Sequence, residues 1–201
     1  MGMFTKVSSD AMQTLQLDAG VLLSTFDPAN PVEPASEHII ATTTGGIQVT
    51  CTPTFSDFGE DVDNLPNNTK EYKHLDSVEC GMSFTNIKFN ADNIVWALGA
   101  ADKTSTAATT GQNPTRAYDK IVPRRDLKQT DFKDIWWVGD KIDGGAFAVK
   151  LINALSTGGL SIQSTKNGKG TYGVTLTGHV SIAAQDIMPM EFYDIAPAAA
   201  S

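Results

Sequence analysis

Three histidines, two cysteines and scattered carboxylates are the side chains here best equipped for chemistry, and their spacing supports little of it. His38, His74 and His179 lie far apart and no Cys-x-x-Cys occurs, so no zinc centre is expected. Asp61-Val62-Asp63 opens like a calcium loop, but Leu65, Pro66 and Tyr72 stand where a ligand, the turn glycine and the bidentate glutamate are needed. A solvated acidic loop is the expectation there. Gly81-Met82-Ser83-Phe84-Thr85 lacks the closing glycine of a nucleophile elbow. Asn167-Gly168-Lys169-Gly170 lacks the first glycine and the final hydroxyl residue of a phosphate loop. Asn67-Asn68-Thr69 would accept a glycan only in a secreted chain. His179 falls on the polar side of an alternating stretch and reads as a solvated or interface histidine. No catalytic set, metal site or cofactor motif emerges, and the chain is not expected to be an enzyme. Cys51 and Cys80 each sit on an apolar alternation. Two buried thiols in a reducing compartment are favoured over a bridge.

One stretch is dense in both signs of charge. Arg116, Lys120, Arg124, Arg125, Lys128 and Lys133 interleave with Asp119, Asp126, Asp131 and Asp134. The plain reading is a solvated face. The sharper one is a subunit interface centred on Arg124, Arg125 and Asp126, where alternating signs fix register and reject wrong partners. Trp136-Trp137 follow at once. Adjacent side chains of a strand point to opposite faces, so one Trp should enter the core and the other point outward. An outward Trp can anchor an interface or pack beneath a loop; Trp137 is the candidate anchor.

Period-two patterns carry these residues. In Ile47 to Phe55 every odd position is apolar and every even one polar, and Pro53 places that strand at an edge. In Val78 to Phe84 the even positions are apolar. The phase then moves to Ile87 and Phe89, which predicts a bulge or corner near Thr85-Asn86. Tyr172 to Ile182 is the cleanest alternation, with Thr175, Thr177, His179 and Ser181 on its polar side. Weaker strands are predicted over residues 13–17, 20–26, 134–140, 146–151, 160–166 and 187–195. Lys166 to Gly170 is a strong turn signal. Only an odd-length or bulged hairpin there matches the apolar phases of the two flanking strands. One helix is predicted over about residues 91–101, with Asn90 as N-cap, Asp92 at the positive end of the macrodipole, and an apolar stripe of Ile94, Val95, Leu98 and Ala101. Two segments lack core periodicity, an acidic loop over about residues 56–77 and a Thr/Ala/Ser-rich insert over about residues 103–117. Loops that long are uncommon inside a compact domain and usually functional or mobile.

The 201 residues read as one mainly β domain over 1–201, ending in an Ala-rich tail at 196–201. Charged residues are only 19%, below the roughly 25% of an average domain. The 22 threonines favour strands. A net charge of -8 and a pI near 4.7 argue against a surface built to grip phosphates. No apolar run reaches membrane-span length, and no membrane binding is expected. Residues 1–26 do not read as a signal peptide, and Lys6 stands where a myristoylation signal wants Ser or Thr.

Several stretches carry a resemblance. They include Leu15-Gln16-Leu17-Asp18-Ala19-Gly20-Val21-Leu22-Leu23, Asp63-Asn64-Leu65-Pro66-Asn67-Asn68-Thr69-Lys70-Glu71, Ile121-Val122-Pro123-Arg124-Arg125-Asp126-Leu127 and Ile135-Trp136-Trp137-Val138-Gly139-Asp140. Asn153 to Leu160, Lys166 to Gly170 and Pro189-Met190-Glu191-Phe192-Tyr193 continue it. Over nearly the whole chain, outside the insert and the tail, the sequence resembles the major tail tube proteins of long-tailed (siphovirus-type) bacteriophages. The resemblance implies a β-sandwich or barrel-like fold with a flanking helix, in subunits that form hexameric rings. The rings stack into a tube that conducts DNA into the host cell. It also implies a loop reaching the neighbouring ring, here carrying Asp57, Glu60, Asp61, Asp63, Asn64, Asn67, Asn68 and Lys70. It implies an acidic, non-sticking lumen wall, for which Thr50, Thr52, Glu79, Thr175 and Thr177 are the candidates. The implied partners are further copies of the chain, the tape measure, the tail terminator and the baseplate or tip. DNA passes only in transit, no cofactor is needed, and the protein resides in the virion after synthesis in the host cytoplasm. A tube subunit of a contractile tail or secretion apparatus is an alternative. So is a carbohydrate-binding or adhesin β-sandwich using Trp96, Trp136 or Trp137.

Overall fold

The computed structural model describes residues 8, 11, 12, 14–111 and 114–198. Within them ten strands and one helix follow in order: β1 (Val21–Leu23), β2 (Thr43–Asp57), β3 (Lys73–Asn86), α1 (Ala91–Leu98), β4 (Ala101–Thr106), β5 (Tyr118–Pro123), β6 (Lys133–Asp140), β7 (Ala146–Ser156), β8 (Ser161–Gln163), β9 (Thr171–Thr177) and β10 (Met190–Ile195). The fold is mainly β, antiparallel and sandwich-like, as the alternating patterns predict. One layer is β1-β6-β7-β10 and the other is β2-β3-β9, with β8 on the far side of β9. β7 joins them. Its residues Ala146 to Leu151 pair with β6 and β10, and Leu155 and Ser156 then pair with β9. The corner between these runs holds Asn153, at φ 48°. A strand that changes sheets is a usual way to close such a corner.

The main core lies between the layers. Met82, Phe84, Val174 and Leu176 of one sheet meet Leu22, Ile135, Trp137, Val149 and Leu151 of the other. A second cluster lies on the outer side of the first sheet, where Leu23, Trp136, Val138 and Ala148 are covered by Phe26 and Ile39. Over β1, β6 and β7 that sheet is therefore buried on both faces. The Trp pair straddles it as predicted, the outward ring packing beneath a loop, but Trp137 is the core member, which corrects its place as the candidate anchor. Trp137 enters the main core at 8% exposure, and its Nε1 donates to the Ala19 carbonyl at 3.0 Å. Trp136 points the other way, but beneath residues 26–39, edge-on to Phe26 at 5.5 Å. Neither ring reaches out as an anchor. The covering segment has no periodicity of its own, so nothing in the sequence announced it.

The helix starts where predicted, with Asn90 Oδ1 accepting from the Asn93 N–H at 2.8 Å. It ends at Leu98, and Ala101 already belongs to β4. Gly99 sets the stop. Its φ of 75° suits glycine, and any Cβ there would come within 2.7 Å of the Ser156 carbonyl. Asn93 and Ala97 form the most buried stripe, and Trp96 stacks on Phe84 at 6.0 Å.

Other boundaries moved. β2 and β3 extend into the acidic segment, leaving only residues 58–72 as loop. The insert is partly strand, since β4 and β5 form a separate exposed hairpin. β9 stops at Thr177, and Val180 and Ile182 lie outside it, 50% and 89% exposed. β1, β8 and β10 are shorter than predicted. Of the first predicted strand, Gln16 makes a single bridge to Lys141, while residue 13 lies outside the described set. The turn after β8 obeys the parity argument but not its length. Gln163 pairs with Thr171 and Ile162 with Tyr172, so residues 164–170 form the loop. The phase change after Phe84 is a corner. β3 ends at Asn86, whose Oδ1 accepts from the N–H groups of Thr42 and Lys88 and whose Nδ2 donates to the Tyr172 hydroxyl.

Candidate functional site

The sheet β2-β3-β9 has one apolar and one polar face, and the register determines which residues share them. Gln48 lies opposite Ser83, Thr50 opposite Gly81, and Thr52 opposite Glu79. Ser83 in turn lies opposite Thr175, and Gly81 opposite Thr177. Alternation then places Thr50, Thr52, Glu79, Thr175 and Thr177 on one side of one sheet, turned away from Met82, Phe84, Val174 and Leu176. Thr50, Thr52, Glu79 and Thr175 are exposed and Thr177 is half-buried. The hydroxyls tie the surface together. Thr50 Oγ1 donates to the Gly81 carbonyl at 3.4 Å, and the hydroxyls of Thr157 and Thr177 meet at 2.8 Å. Between Thr44 and Thr52 along β2, and opposite them on β3 and β9, Glu79 is the charged residue of this side. At one end Lys169 Nζ reaches Thr44 Oγ1 at 3.1 Å, and at the other β2 and β3 continue to the Asp57–Lys73 pair.

The same two strands run on as a hairpin arm. β9 pairs with β3 only over Gly81 to Asn86, so the outer parts of β2 and β3 pair with each other alone. Cys51 to Phe55 and Lys73 to Ser77 are accordingly exposed. The arm twists at a bulge between Thr54 and Phe55, where Asp76 has no opposite partner. Its tip carries Asp57, Glu60, Asp61, Asp63, Asn64, Asn67, Asn68 and Lys70 together. Asp57 organises it. One carboxylate oxygen accepts from the Gly59 N–H at 2.9 Å, and the other pairs with Lys73 at 3.2 Å. The Gly59 bond first, then Lys73 and the Asn68 N–H, hold its carboxyl below the ordinary Asp value despite partial burial. Asn64 and Asn68 take left-handed turns at φ 62° and 63°, which Asn tolerates. Phe55, Phe58, Val62, Tyr72 and Leu75 leave apolar surface on the arm exposed.

The mixed-charge segment gives the two arginines of the candidate interface different surroundings. Arg124 pairs inside its own chain. One terminal nitrogen donates to Asp131 at 2.6 Å and the other to the Asp126 carbonyl at 2.7 Å. Its Nε lies 2.9 Å from Asp102 as a charge contact without hydrogen-bond alignment. Its side chain is only 13% exposed. Lys128 and Arg124 together hold the Asp102 carboxyl below its usual range. Arg125 and Asp126 are exposed, and Arg125 has no charged partner among the described residues. His179 sits past the end of β9, half-buried, with Nδ1 3.2 Å from the Asn153 carbonyl and its ring against Phe132.

Among the described residues no three His, Cys, Asp or Glu side chains converge as a metal site would require, and no helix is long and apolar enough to cross a membrane. What sequence reasoning missed is the relation between the two thiols. Cys51 lies directly opposite Cys80, and Cys51 is exposed rather than buried.

No family model matches the chain, and no curated protein does. Among solved structures it is similar to a subunit in the tail of an empty gene transfer agent particle refined with C6 symmetry, at 9% identity and a TM-score of 0.41, over 87% of this chain and 96% of that one. It is similar also to a chain in the virion of a native gene transfer agent particle, at 8% identity and a TM-score of 0.41, over 87% of this chain and 95% of that one. Likeness at this level establishes neither a shared fold nor a shared role.

Proposed function

We propose that this chain is the structural subunit of a phage-type tail tube. Copies would close into six-membered rings that stack, leaving a lumen through which DNA passes. The observation that carries the reading is the polar face of β2-β3-β9. Over residues 48–52, 79–83 and 175–177 its polar side is a strand surface of hydroxyls and one amide with a single carboxylate and no Lys or Arg, backed by the main core; Lys73 and Asp57 pair farther out, on the arm. A duplex moving along a wall is retarded by each cation that displaces a counterion from its phosphates. A wall of Thr, Ser, Gln and Glu offers no such hold. The sequence resemblance to tail tube proteins supports the same reading. The exposed arm, with its acidic tip, would be the contact between successive rings, and Arg125 with Asp126 a contact around the ring. Trp137 leaves that set because it is in the core.

The test is negative-stain microscopy of the purified protein and of particles that contain it. Rings or hollow tubes are expected, in particles at least. A protein monomeric at every concentration and absent from tails would overturn the reading. Removing Asp63 to Lys70 is expected to leave a folded subunit, since the Asp57–Lys73 closure remains, and to abolish stacking.

A further inference from the structure

We propose that Cys51 and Cys80 form an oxidative modification site: a thiol pair that a low-molecular-weight disulfide, such as oxidised glutathione, closes into a bridge across the root of the arm. Three observations carry it. The residues are direct partners across β2 and β3, and their sulfurs already touch at 3.4 Å. The pairing is also of the closer kind. The Cys80 carbonyl accepts from the Gly178 N–H on the β9 side. In an antiparallel strand a residue's N–H and C=O point the same way, so Cys80 makes no ladder bond to β2. Cys51 and Cys80 are thus a non-hydrogen-bonded pair, whose Cα atoms sit about 4.5 Å apart with side chains near each other. That separation lies within the range a disulfide spans without moving the backbone. Third, the two thiols differ in access. Cys51 is exposed and Cys80 is 2% exposed.

The difference orders the chemistry. The Cys51 thiolate attacks one sulfur of oxidised glutathione. A Cys51–glutathione bond forms, the glutathione disulfide breaks, and one glutathione leaves as thiolate and takes a proton. Cys80 then gives its proton to solvent and attacks the Cys51 sulfur, expelling the second glutathione. Two protein thiols are oxidised and one glutathione disulfide is reduced to two thiols. Cys80 is unfit for the first step. Burial, then the hydrogen bond and charge of Cys51, push its thiol up to about 12. Capping Cys51 removes that neighbouring charge before Cys80 must ionise. The bridge would lock β2 against β3 just inside the bulge and hold the arm's register. This thiol chemistry is independent of what the chain assembles into, so it and the tube reading stand or fall separately.

The experiment titrates the purified, reduced full chain with oxidised and reduced glutathione, traps free thiols with iodoacetamide, and reads intact mass and non-reducing peptide maps. The expected product is a monomer that has lost two hydrogens and takes no alkyl group, with Cys51 and Cys80 peptides linked. The native chain should reach half-bridging at an oxidised-to-reduced ratio about tenfold lower than the urea-unfolded chain, because folding places the thiols together. Cys80→Ala, and Cys80→Ser should alanine not fold, is expected to stop at a glutathione adduct on Cys51. Cys51→Ser is expected to form neither adduct nor bridge. Two alkylated thiols, a lasting glutathione adduct on the unmutated chain, disulfide-linked dimers, or a native midpoint no lower than the unfolded one would each overturn the proposal.

Discussion

Arg124 and Arg125 are neighbours with opposite fates, and the difference decides what each substitution should do. Arg124 is mostly enclosed and bonded to Asp131, itself only 12% exposed, and to the Asp126 carbonyl, with Asp102 in charge contact. Arg124→Glu would set a third carboxylate against two. The pair is part-buried, and leaving Asp131 without its charged partner costs about 1–3 kcal/mol, so this variant should unfold at lower urea than wild type. Arg125 is exposed and lacks a charged partner among the described residues. Arg125→Glu should keep the wild-type unfolding midpoint, since exposed charges are worth only about 0–1 kcal/mol, yet block ring closure under the tube reading. Urea denaturation and microscopy on the two variants separate the roles. Normal tubes from Arg125→Glu would remove it from the interface. Sequence alone placed both arginines in one interleaved run. It could not show which of them the short helical turn at Gln129 to Asp131 would recruit inward, because that depends on Asp131 also accepting the Lys128 N–H at 2.8 Å.

At the scale of elements, the arm was partly legible. The alternations of Ile47 to Phe55 and Val78 to Phe84 have apolar faces that coincide once the strands pair, and they do pair. The loop between them looked longer than it is because strand patterns fade where both faces are wet. Phe55, Leu75 and Asp76 sit on arm strands without any core to impose a period. The tip is organised instead by Asp57, an Asp two residues ahead of Gly59, which is a turn signal rather than a periodic one. This makes the tip acid-sensitive. The folded Asp57 carboxyl titrates below its unfolded value of 3.8. A depressed acid contributes stability that is complete above the unfolded value and is lost as pH falls through the folded one. The order of the tip should therefore hold above about pH 4 and decline below it, while the core persists. Amide protection of Gly59 and Tyr72, corrected for intrinsic exchange, is the measurement. Asp57→Ala should show the low-pH protection at every pH. Unchanged protection down to acid unfolding would mean that Asp57 does not organise the tip.

For the whole molecule, the charge distribution matters more than the net charge of -8. The five residues singled out from sequence as wall candidates share one sheet face, because period two in three strands combines with the pairings of Gly81 and Ser83 to both neighbours. What sequence could not supply was the other half of the sandwich, whose outer side is covered by an aperiodic segment and so shows no polar alternation. That leaves β2-β3-β9 as the broad polar strand surface on which a duplex could pass. Thr50→Lys with Thr175→Lys adds two cations to it. Thr52 is a poorer choice because it faces Glu79, which would neutralise the new charge. The matching control adds the same charge elsewhere, as Thr104→Lys with Thr106→Lys in the exposed β4–β5 hairpin, where they face Lys120 and Tyr118 and no carboxylate. Exposed substitutions of this kind shift stability by about 0.5 kcal/mol or less, so both variants should fold. Under the tube reading both should also build tubes. Only the first should slow DNA ejection, and most at low salt, where phosphate attraction is strongest and screening weakest. Equal slowing by both variants would point to net charge rather than to a wall. No slowing by either, with the lysines confirmed in assembled tubes, would place this face on the outside of the assembly.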